Sequence, residues 1–218
     1  MAELARIELL DNRWDEAKAA ALDEPGRLLY RSHLLGADMR TTNYGGGTTS
    51  AKVKQRDPLT GKDVEVLWVK GSGGDVGTMK LDGFATLYME KLQHLKTIYR
   101  GEAQEDEMVG YLPHCTFNLN PRAASIDTPL HAFIPYAHVD HMHPDAVIAI
   151  AAMKNSRTIT QKVFGDEIGW LPWRRPGFQL GLDLERFVKE RPKAKGAVLG
   201  GHGLITWANS AKECYEVT

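Results

Sequence analysis

Cysteine is scarce in this chain, and its two cysteines, Cys115 and Cys214, form no spacing motif. This scarcity argues against a disulfide framework. Long apolar runs are also missing, because no uninterrupted run approaches the roughly 18 residues that span a bilayer. The first residues lack the basic and apolar regions of a signal peptide. We therefore expect a cytoplasmic protein with no membrane partner.

A charge excess of one sign is absent as well. The chain carries 27 basic and 28 acidic residues, for a net charge of −1, so we expect no nucleic-acid partner. What is present is ordinary for a domain with a sizeable core: 218 residues, of which 43% are hydrophobic. This length is most simply one domain that spans residues 1–218.

Three histidines stand close together in HVDHMHPDAVIAIAAM, residues 138–153. His141 and His143 are two positions apart, so in an extended chain they project from one face, whereas His138 projects from the other. Two neighbouring imidazoles favour a metal ion but do not hold one alone. A metal site therefore requires further ligands from elsewhere in the chain.

His202 offers such a ligand, since it lies between glycines in GAVLGGHGLITWA, a segment that predicts an apolar strand. Taken alone, a histidine of this kind is more often a hydrogen-bonded core residue. With the same-face pair it completes three neutral nitrogen ligands, the set that a catalytic zinc uses. Imidazole also suits iron, cobalt, nickel and manganese. The His-x-His pair also opens the metal site of many amidohydrolases, but there it follows the first strand of a larger barrel.

Two glycine-rich loops also carry hydroxyl groups. The segments are GGGTTS, residues 45–50, and KGSGG, residues 70–74. Glycine lets backbone N–H groups converge on an anion, and neither loop matches a P-loop or a dinucleotide fingerprint. Each loop alone is typical of a tight turn. Both loops in a chain with a metal site indicate a small phosphorylated substrate.

The segment SIDTPLHAFIPYAH places Asp127 just before a predicted helix start and His131 one turn further on. Both side chains can then face one cleft. Two roles remain open for Asp127: a capping carboxylate favoured by the helix dipole, or a general acid/base beside a metal-bound substrate.

Helical and strand patterns alternate along the chain, which favours α/β or α+β layers. The patterns predict a helix over residues 13–40 interrupted at Pro25, a hairpin over 51–71, a helix over 81–100, a short helix from Thr128, strands over 147–152 and 196–208, and a final helix from Ser210.

Four segments in this order resemble the class II aldolase/adducin family: GGGTTSAKV, VKGSGG, SIDTPLHAFIPYAHVDHMHPDAV and GGHGLITW. The resemblance implies a three-layer α/β fold with a central, mostly antiparallel β-sheet flanked by helices, assembled as a homotetramer or other homo-oligomer. SIDTPLHAF is most similar to the aldolase domain of bifunctional rhamnulose-1-phosphate aldolase/short-chain dehydrogenase proteins. That similarity implies a longer chain with a C-terminal dehydrogenase domain, which alone would use NAD.

The resemblance also implies roles for single residues. The family's zinc ligands fall on His141, His143 and His202, and its catalytic glutamate falls on Asp127. Its phosphate-binding positions fall on Gly47, Thr48, Ser72, Gly73 and Ser125. His131 and His138 are candidates for a supporting role beside the metal. The chain departs from the family in the shorter Asp127, in Gly47-Thr48 where the family has glycine-asparagine, and in an unusual WLPWRRPG loop.

The implied activity is that of a lyase, a class II aldolase dependent on Zn²⁺ or another divalent transition metal. It would cleave a ketose 1-phosphate, L-rhamnulose 1-phosphate in the first instance, to dihydroxyacetone phosphate and an aldehyde such as lactaldehyde. No Schiff-base lysine is required, and Lys70 is expected to face solvent. Two alternatives stay open: a sugar-phosphate 4-epimerase that uses the same bond cleavage, and a metal-free adducin-like scaffold. The three intact histidines favour an enzyme.

Overall fold

The computed structural model describes residues 10–119 and 122–218, in which helices and strands alternate. The helices are α1 (Glu16–Ala20), α2 (Glu24–Gly36), α3 (Met89–Ile98), α4 (Glu105–Tyr111), α5 (Thr128–Phe133), α6 (Asp145–Ala152), α7 (Ser156–Phe164), α8 (Phe178–Glu190) and α9 (Ala211–Val217). The strands are β1 (Thr48–Arg56), β2 (Asp63–Lys70), β3 (Phe84–Tyr88), β4 (His138–Met142), β5 (Ile168–Leu171), β6 (Gly196–Leu199) and β7 (Gly203–Ala208). Within these two ranges, no helix has the length and apolar character needed to cross a lipid bilayer.

The strands form one seven-stranded sheet in the order β3-β2-β1-β4-β7-β6-β5. Every neighbouring pair is antiparallel except β5 and β6, which are parallel. Helices cover both faces, so the predicted three-layer α/β fold with a mostly antiparallel sheet is confirmed. Strand β4 lies near the middle of the sheet, between β1 and β7.

The two faces of the sheet have separate cores. On the face that we call the front, β-strand side chains pack against α3, α5 and α8, with Phe133, Phe178 and Trp207 among the large buried rings. On the back face they pack against α2, α6 and α9. Alternation along β4 turns Val139 towards the front core and Met142 towards the back core.

The chain before the sheet forms two helices rather than one interrupted helix. Asp23 caps α2 by accepting a hydrogen bond from the N–H of Gly26, and Pro25 lies in the first turn. Proline is tolerated there because its missing N–H has no partner within the helix. Pro25 therefore belongs to the start of α2. The predicted hairpin is confirmed as β1 and β2, with β1 beginning three residues earlier, at Thr48.

The predicted helix over residues 81–100 is wrong in its first half. Residues 84–88 form β3, which pairs with β2, and the helix begins only at Met89. Leu87 and Leu92 are both buried in the same front core, one from the strand and one from the helix. Their spacing matches that of a single helical face. Residues 84–88 nevertheless form a strand, because they pair with the open edge of β2.

The predicted strand over residues 147–152 is also wrong, because these residues belong to α6. A short apolar run is compatible with either element, and here Pro144 at the helix start and Asp145 in the first turn favour the helix. Residues 196–208 form two strands, β6 and β7, as antiparallel neighbours. His202 lies in the turn between them and not within a strand.

A buried ion pair fastens β4 to the back helices. The Nε of Arg31 in α2 donates to Asp140 at 3.1 Å, and both side chains are fully buried. Arg31 also donates to the Ser50 carbonyl at 2.7 Å, so its charge is shared among several acceptors. Asp140 accepts further contacts from Cys214 and Thr218, at 3.2 and 3.3 Å. These contacts hold β4, the strand that carries His141, against the helices of the back face.

Candidate metal centre

Three histidines meet at one end of the central strands. His141 lies in β4, His143 follows β4, and His202 lies in the turn before β7. The Nε2 atom of His141 is 3.0 Å from that of His143 and 3.2 Å from that of His202. One ligand atom from each of the three lies within 4.8 Å of the others. Residues that are 61 positions apart in the chain thus share one small site.

The hydrogen bonding of His141 fixes which of its nitrogens faces the site. Its Nδ1 atom lies 2.9 Å from the carbonyl oxygen of Leu204. A carbonyl only accepts, so Nδ1 carries the proton and the Nε2 lone pair points to the other two rings. Burial lowers the pKa of His141 to about 4, against an opposing effect of Asp127. Burial also lowers the pKa values of His143 and His202.

These properties fit a zinc ion. Metal ligands must be deprotonated, and lowered pKa values keep all three imidazoles neutral at pH 7. With bonds of about 2.0–2.1 Å to a tetrahedral zinc, ligand nitrogens lie about 3.3 Å apart, close to the separations seen here. Three nitrogen ligands also leave a coordination position for a substrate or water. The donor set therefore suits a catalytic rather than a purely structural ion.

Asp127 stands beside these rings. It occupies the residue before α5, but its side chain makes no capping hydrogen bond to the helix. Its Oδ2 atom lies 3.4 Å from the hydroxyl of Thr48 and 3.5 Å from that of Ser125. Electrostatic interactions couple Asp127 to all three histidines of the cluster. The carboxylate is therefore directed to the cleft and not to the helix backbone.

The GGGTTS loop runs directly into the strand next to β4. Thr48 is the register partner of His141. Gly47 has φ = +77°, and an added Cβ would lie 3.0 Å from the sulfur of Met142 and 3.4 Å from the carbonyl oxygen of His141. Only glycine fits this close approach without strain. The loop is thus held against the strand that carries His141.

The KGSGG loop contacts the segment that precedes Asp127. The N–H of Ser72 donates to the carbonyl of Ala123 at 2.9 Å, two residues before Ser125. That N–H is therefore not available to an anion, although the Ser72 side chain is exposed. Gly73 has φ = +69° and open space around it. Both predicted phosphate loops contact the segment that leads to Asp127, one through Thr48 and one through Ser72.

The two remaining histidines of the sequence prediction lie in different places. His131 is fully buried next to Ser50, whose hydroxyl lies 2.7 Å from its Nδ1 atom, and it interacts electrostatically with His141. His138 accepts a hydrogen bond from Arg31 at 2.8 Å on the back face. Burial, followed by the charge of Arg31, lowers the pKa of His138 to about 3. The structure thus gives His138 a packing role behind the sheet, and of these two histidines only His131 lies near the candidate metal ligands.

Lys70 departs from the sequence expectation of a solvent-facing residue. It ends β2, immediately before the KGSGG glycines, and its exposed fraction is only 5%. Burial lowers the pKa of Lys70, while the charges of Asp127 and Asp75 act in the opposite direction. In the sequence, Lys70 stands directly before a glycine loop. That position alone does not distinguish a buried lysine from an exposed one.

The WLPWRRPG loop is anchored by ion pairs. Arg174 contacts both Asp183 and Glu102, and Arg175 contacts Asp106 at 2.5 Å. The neighbouring Trp173 is 66% exposed and lies over Gly201, next to His202. The two arginines thus hold the loop against α4 and α8, and the tryptophan lies over the turn that carries His202.

Sequence and structure together identify the family. The family model for the class II aldolase and adducin N-terminal domain matches residues 27–218, and the chain belongs to this family. It is 33% identical to the N-terminal class II aldolase domain of a conserved protein from Thermoplasma acidophilum, with a TM-score of 0.85 and coverage of 96% of this chain and 94% of that one.

Two further comparisons give one relative in sequence and one protein of similar fold. The chain is 41% identical to the uncharacterized oxidoreductase YuxG of Bacillus subtilis (strain 168) over 206 residues, which cover 94% of this chain but 30% of that protein. The fold is also similar to that of a sugar-phosphate aldolase from Thermotoga maritima, with a TM-score of 0.60, 13% identity and coverage of 89% and 88% of the two chains.

Proposed function

We propose that this domain is a metal-dependent aldolase that cleaves a ketose 1-phosphate to dihydroxyacetone phosphate and an aldehyde. One observation carries the proposal: three neutral imidazoles share a site with a carboxylate that is not used as a helix cap. Membership of the class II aldolase and adducin family supports the same reaction class. A metal-free scaffold has no need of three converging imidazoles, so the enzyme is the better interpretation.

His141, His143 and His202 would hold the ion, which we assign as zinc. When bound, zinc supplies a Lewis acid for the substrate carbonyl. The Leu204 carbonyl keeps the His141 lone pair directed at the ion, and the buried Arg31–Asp140 pair keeps β4 in place. Such supporting contacts orient metal ligands and preserve their basicity.

Asp127 would transfer the proton that C3 of the substrate receives. In the cleavage direction, the Asp127 carboxylate takes the proton of the C4 hydroxyl, the bond between C3 and C4 breaks, and C4 becomes the aldehyde carbon. The electron pair left at C3 takes a proton from Asp127, which completes dihydroxyacetone phosphate. Thr48 and Ser125 hydroxyls beside Oδ2 would fix the carboxyl group for this transfer.

The substrate would place its phosphate between the two glycine loops. Gly47, Thr48, Ser72, Gly73 and Ser125 are the residues that we assign to it. Contacts of both loops with residues 123–127 support this assignment. L-rhamnulose 1-phosphate is the first candidate, because SIDTPLHAF resembles the aldolase domain of the rhamnulose-1-phosphate group, and lactaldehyde would then be the second product.

We also infer that the domain acts within a larger protein. The chain spans 30% of the length of YuxG, a relative whose name assigns it to the oxidoreductases. That relation supports a further dehydrogenase domain, which we expect after this one from the resemblance of SIDTPLHAF, and NAD would be its cofactor. Sequencing of the gene past the Thr218 codon checks this. Homo-oligomer formation, expected from the resemblance, is checked by light scattering of the purified protein.

The test is a product assay on zinc-loaded protein. We expect release of dihydroxyacetone phosphate from L-rhamnulose 1-phosphate or a related ketose 1-phosphate, and loss of that release after chelation. Recovery of the C4 epimer of the supplied ketose phosphate without free aldehyde would instead identify the epimerase. Zinc-loaded protein that converts none of the sugar phosphates would contradict both enzymatic hypotheses.

A further inference from the structure

His202 differs from His141 in the way its ring is held. The Nδ1 atom of His141 donates to the carbonyl oxygen of Leu204, which fixes that ring. The Nδ1 atom of His202 is buried, yet it has no hydrogen-bond partner in the part of the chain that the structure describes. Metal-bound histidines usually donate this second nitrogen to a carbonyl or a carboxylate, which orients the ring. The orientation of His202 therefore depends on the packing of the turn that carries it.

That turn is rich in glycine and has little stiffness of its own. It reads Gly200-Gly201-His202-Gly203, and Gly201 has φ = +66°. Glycine has more backbone freedom than any other residue, so local side chains do not restrict this turn. Contacts from neighbouring segments are needed to keep His202 in one place.

Two rings occupy the space that side chains at the flanking glycines would fill. An added Cβ at Gly203 would lie 2.8 Å from the Cδ2 atom of His143, so the ring of this second candidate ligand fits against Gly203. An added Cβ at Gly201 would lie 3.1 Å from the Cδ1 atom of Trp173. The turn is thus in close contact with Trp173 just before His202 and with His143 just after it.

Trp173 is itself anchored, although its side chain is 66% exposed. It follows β5, whose last residue, Leu171, accepts a hydrogen bond from the N–H of Gly200 at 2.9 Å. The next residue, Arg174, donates to Asp183 of α8 at 2.7 Å. A side chain this exposed adds little to a hydrophobic core. Its contact with the glycine turn is therefore the interaction that requires an explanation.

We propose that Trp173 is a positioning residue, which packs on the glycine turn and holds His202 in the place and orientation that metal binding requires. This inference rests on the proposed function, because it concerns a ligand of the same ion. A large, rigid ring suits the role, since it provides contact area at a low cost in conformational entropy. The WLPWRRPG loop, in which the chain departs from its family, thereby serves to steady a metal ligand.

The experiment compares Trp173→Ala with Trp173→Phe, which keeps a flat ring, and with the control Trp14→Ala. Trp14 packs against the rings of Tyr30 and Tyr215 and lines a cavity with His138, at the opposite end of β4 from the candidate ligands. Competition with a chromophoric chelator measures the zinc affinity of each purified protein. The visible absorption of the cobalt(II)-loaded proteins reports the ligand geometry. Thermal melting of the metal-free proteins reports the stability of the fold.

We expect Trp173→Ala to weaken zinc binding by about 10-fold, the lower end of the usual effect of residues that orient metal ligands. Its cobalt(II) spectrum should differ from that of the wild type, because His202 is no longer held in one orientation. Its melting temperature without metal should stay close to the wild-type value, since most of the indole is exposed. Trp173→Phe should retain most of the zinc affinity and the wild-type spectrum.

Trp14→Ala should bind zinc as the wild type does, although it should melt at a lower temperature because it loses two ring contacts. Unchanged zinc affinity in Trp173→Ala would overturn the proposal. An equal loss of affinity in Trp14→Ala would also overturn it, because the loss would then follow from removal of any large ring.

The outcome is separable from that of the proposed aldolase reaction. Weaker zinc binding by Trp173→Ala supports the role of Trp173 even if no ketose 1-phosphate is cleaved. Conversely, a working aldolase whose zinc affinity is the same in wild type and Trp173→Ala refutes that role and leaves the reaction intact. A wild-type protein that binds neither zinc nor cobalt would overturn both proposals.

Discussion

The carboxylate of Asp127 lies 3.4 Å from the hydroxyl of Thr48, although Asp127 occupies the capping position of α5. An aspartate at that position normally accepts a hydrogen bond from the helix backbone. Asp127 instead contacts a residue of β1 whose register partner is His141, a proposed metal ligand. The helix start thus serves to carry a carboxylate to the cleft.

Replacement of Asp127 by asparagine is expected to abolish most turnover with little effect on stability. Loss of a positioned proton-transfer group typically reduces rates about 10²–10⁴-fold. Zinc content should stay at the wild-type level, since the histidines hold the ion, and Asp127→Glu should retain more activity than Asp127→Asn. Turnover, metal content and melting temperature of the purified variants provide the measurements.

Asp23 supplies the matched control, because it caps α2 through a hydrogen bond from Gly26 at 2.8 Å. Asp23→Ala should lower the free energy of unfolding by about 1 kcal/mol and leave turnover unchanged. Asp127→Ala should show the opposite pattern. If Asp127→Ala loses stability like Asp23→Ala and keeps its turnover, Asp127 is a capping residue only.

Removal of any one metal-ligand histidine should reduce zinc binding. We expect His141→Ala, His143→Ala and His202→Ala each to lose most of the bound zinc, measured by atomic emission after dialysis against a defined free zinc concentration. His94→Ala, at an exposed position in α3, is the control and should bind zinc normally. A zinc stoichiometry near one in all three variants would show that the ion is held elsewhere.

Zinc should also stabilise the fold. A ligand that binds only the native state adds about 2.7 kcal/mol when present at 100 times its Kd. Addition of a chelator should therefore lower the melting temperature of the wild type and have little effect on His202→Ala. An equal decrease in both proteins would point to metal bound outside the cluster.

The buried Arg31–Asp140 pair should behave as a coupled unit. Arg31→Met leaves an unpaired carboxylate under α2, and loss of one partner of a buried pair typically costs about 3–5 kcal/mol. The double variant Arg31→Met/Asp140→Leu should recover part of this loss, because neither charge remains buried. Urea unfolding of the two single variants and the double variant measures the coupling, and purely additive losses would contradict it.

Tyr88 should control the acid sensitivity of the β1–β2 hairpin. Its hydroxyl donates to Asp57 at 2.6 Å, and this bond, with backbone donors, lowers the pKa of Asp57 to about 2. A lowered carboxyl pKa gives stability that is complete above the unfolded pKa of about 4 and is lost as the pH falls towards 2. Tyr88→Phe should be less stable than wild type at pH 6, and the difference should shrink below pH 4. A difference in melting temperature that is constant from pH 6 to pH 2.5 would exclude this linkage.

Much of the site could be predicted because its chemistry is local in the sequence. His141 and His143 stand two apart, and Gly47 and Thr48 adjoin a predicted strand, so residue type and spacing alone identify them. The position of His202 in a turn was not predictable, since the apolar residues on either side of it give one continuous strand pattern. The burial of Lys70 depends on the path of the loop that follows it, and no local sequence pattern predicts that path.

The errors in secondary structure have a common physical origin. Leu87 and Leu92 share a core although they belong to different elements, and residues 147–152 form a helix that buries Val147 and Ala151 although their composition suits a strand. In both places the deciding interaction comes from distant residues: the hydrogen bonds of β2 for β3, and packing against β6 and β7 for α6. Short apolar segments therefore remain ambiguous until the sheet is assembled.

The place of β4 between β1 and β7 would set the order in which the protein acquires the proposed metal. His141 and His202 are 61 residues apart, and the Arg31–Asp140 contact that steadies their strand spans 109. Sheets with such high contact order fold slowly, because long loops close before their contacts form. A nascent chain emerging from the ribosome presents the His141–His143 pair long before His202 and β7. Full coordination of the proposed ion would thus become possible only once His202 and β7 have emerged, and capture of the ion would report that the central strands have closed.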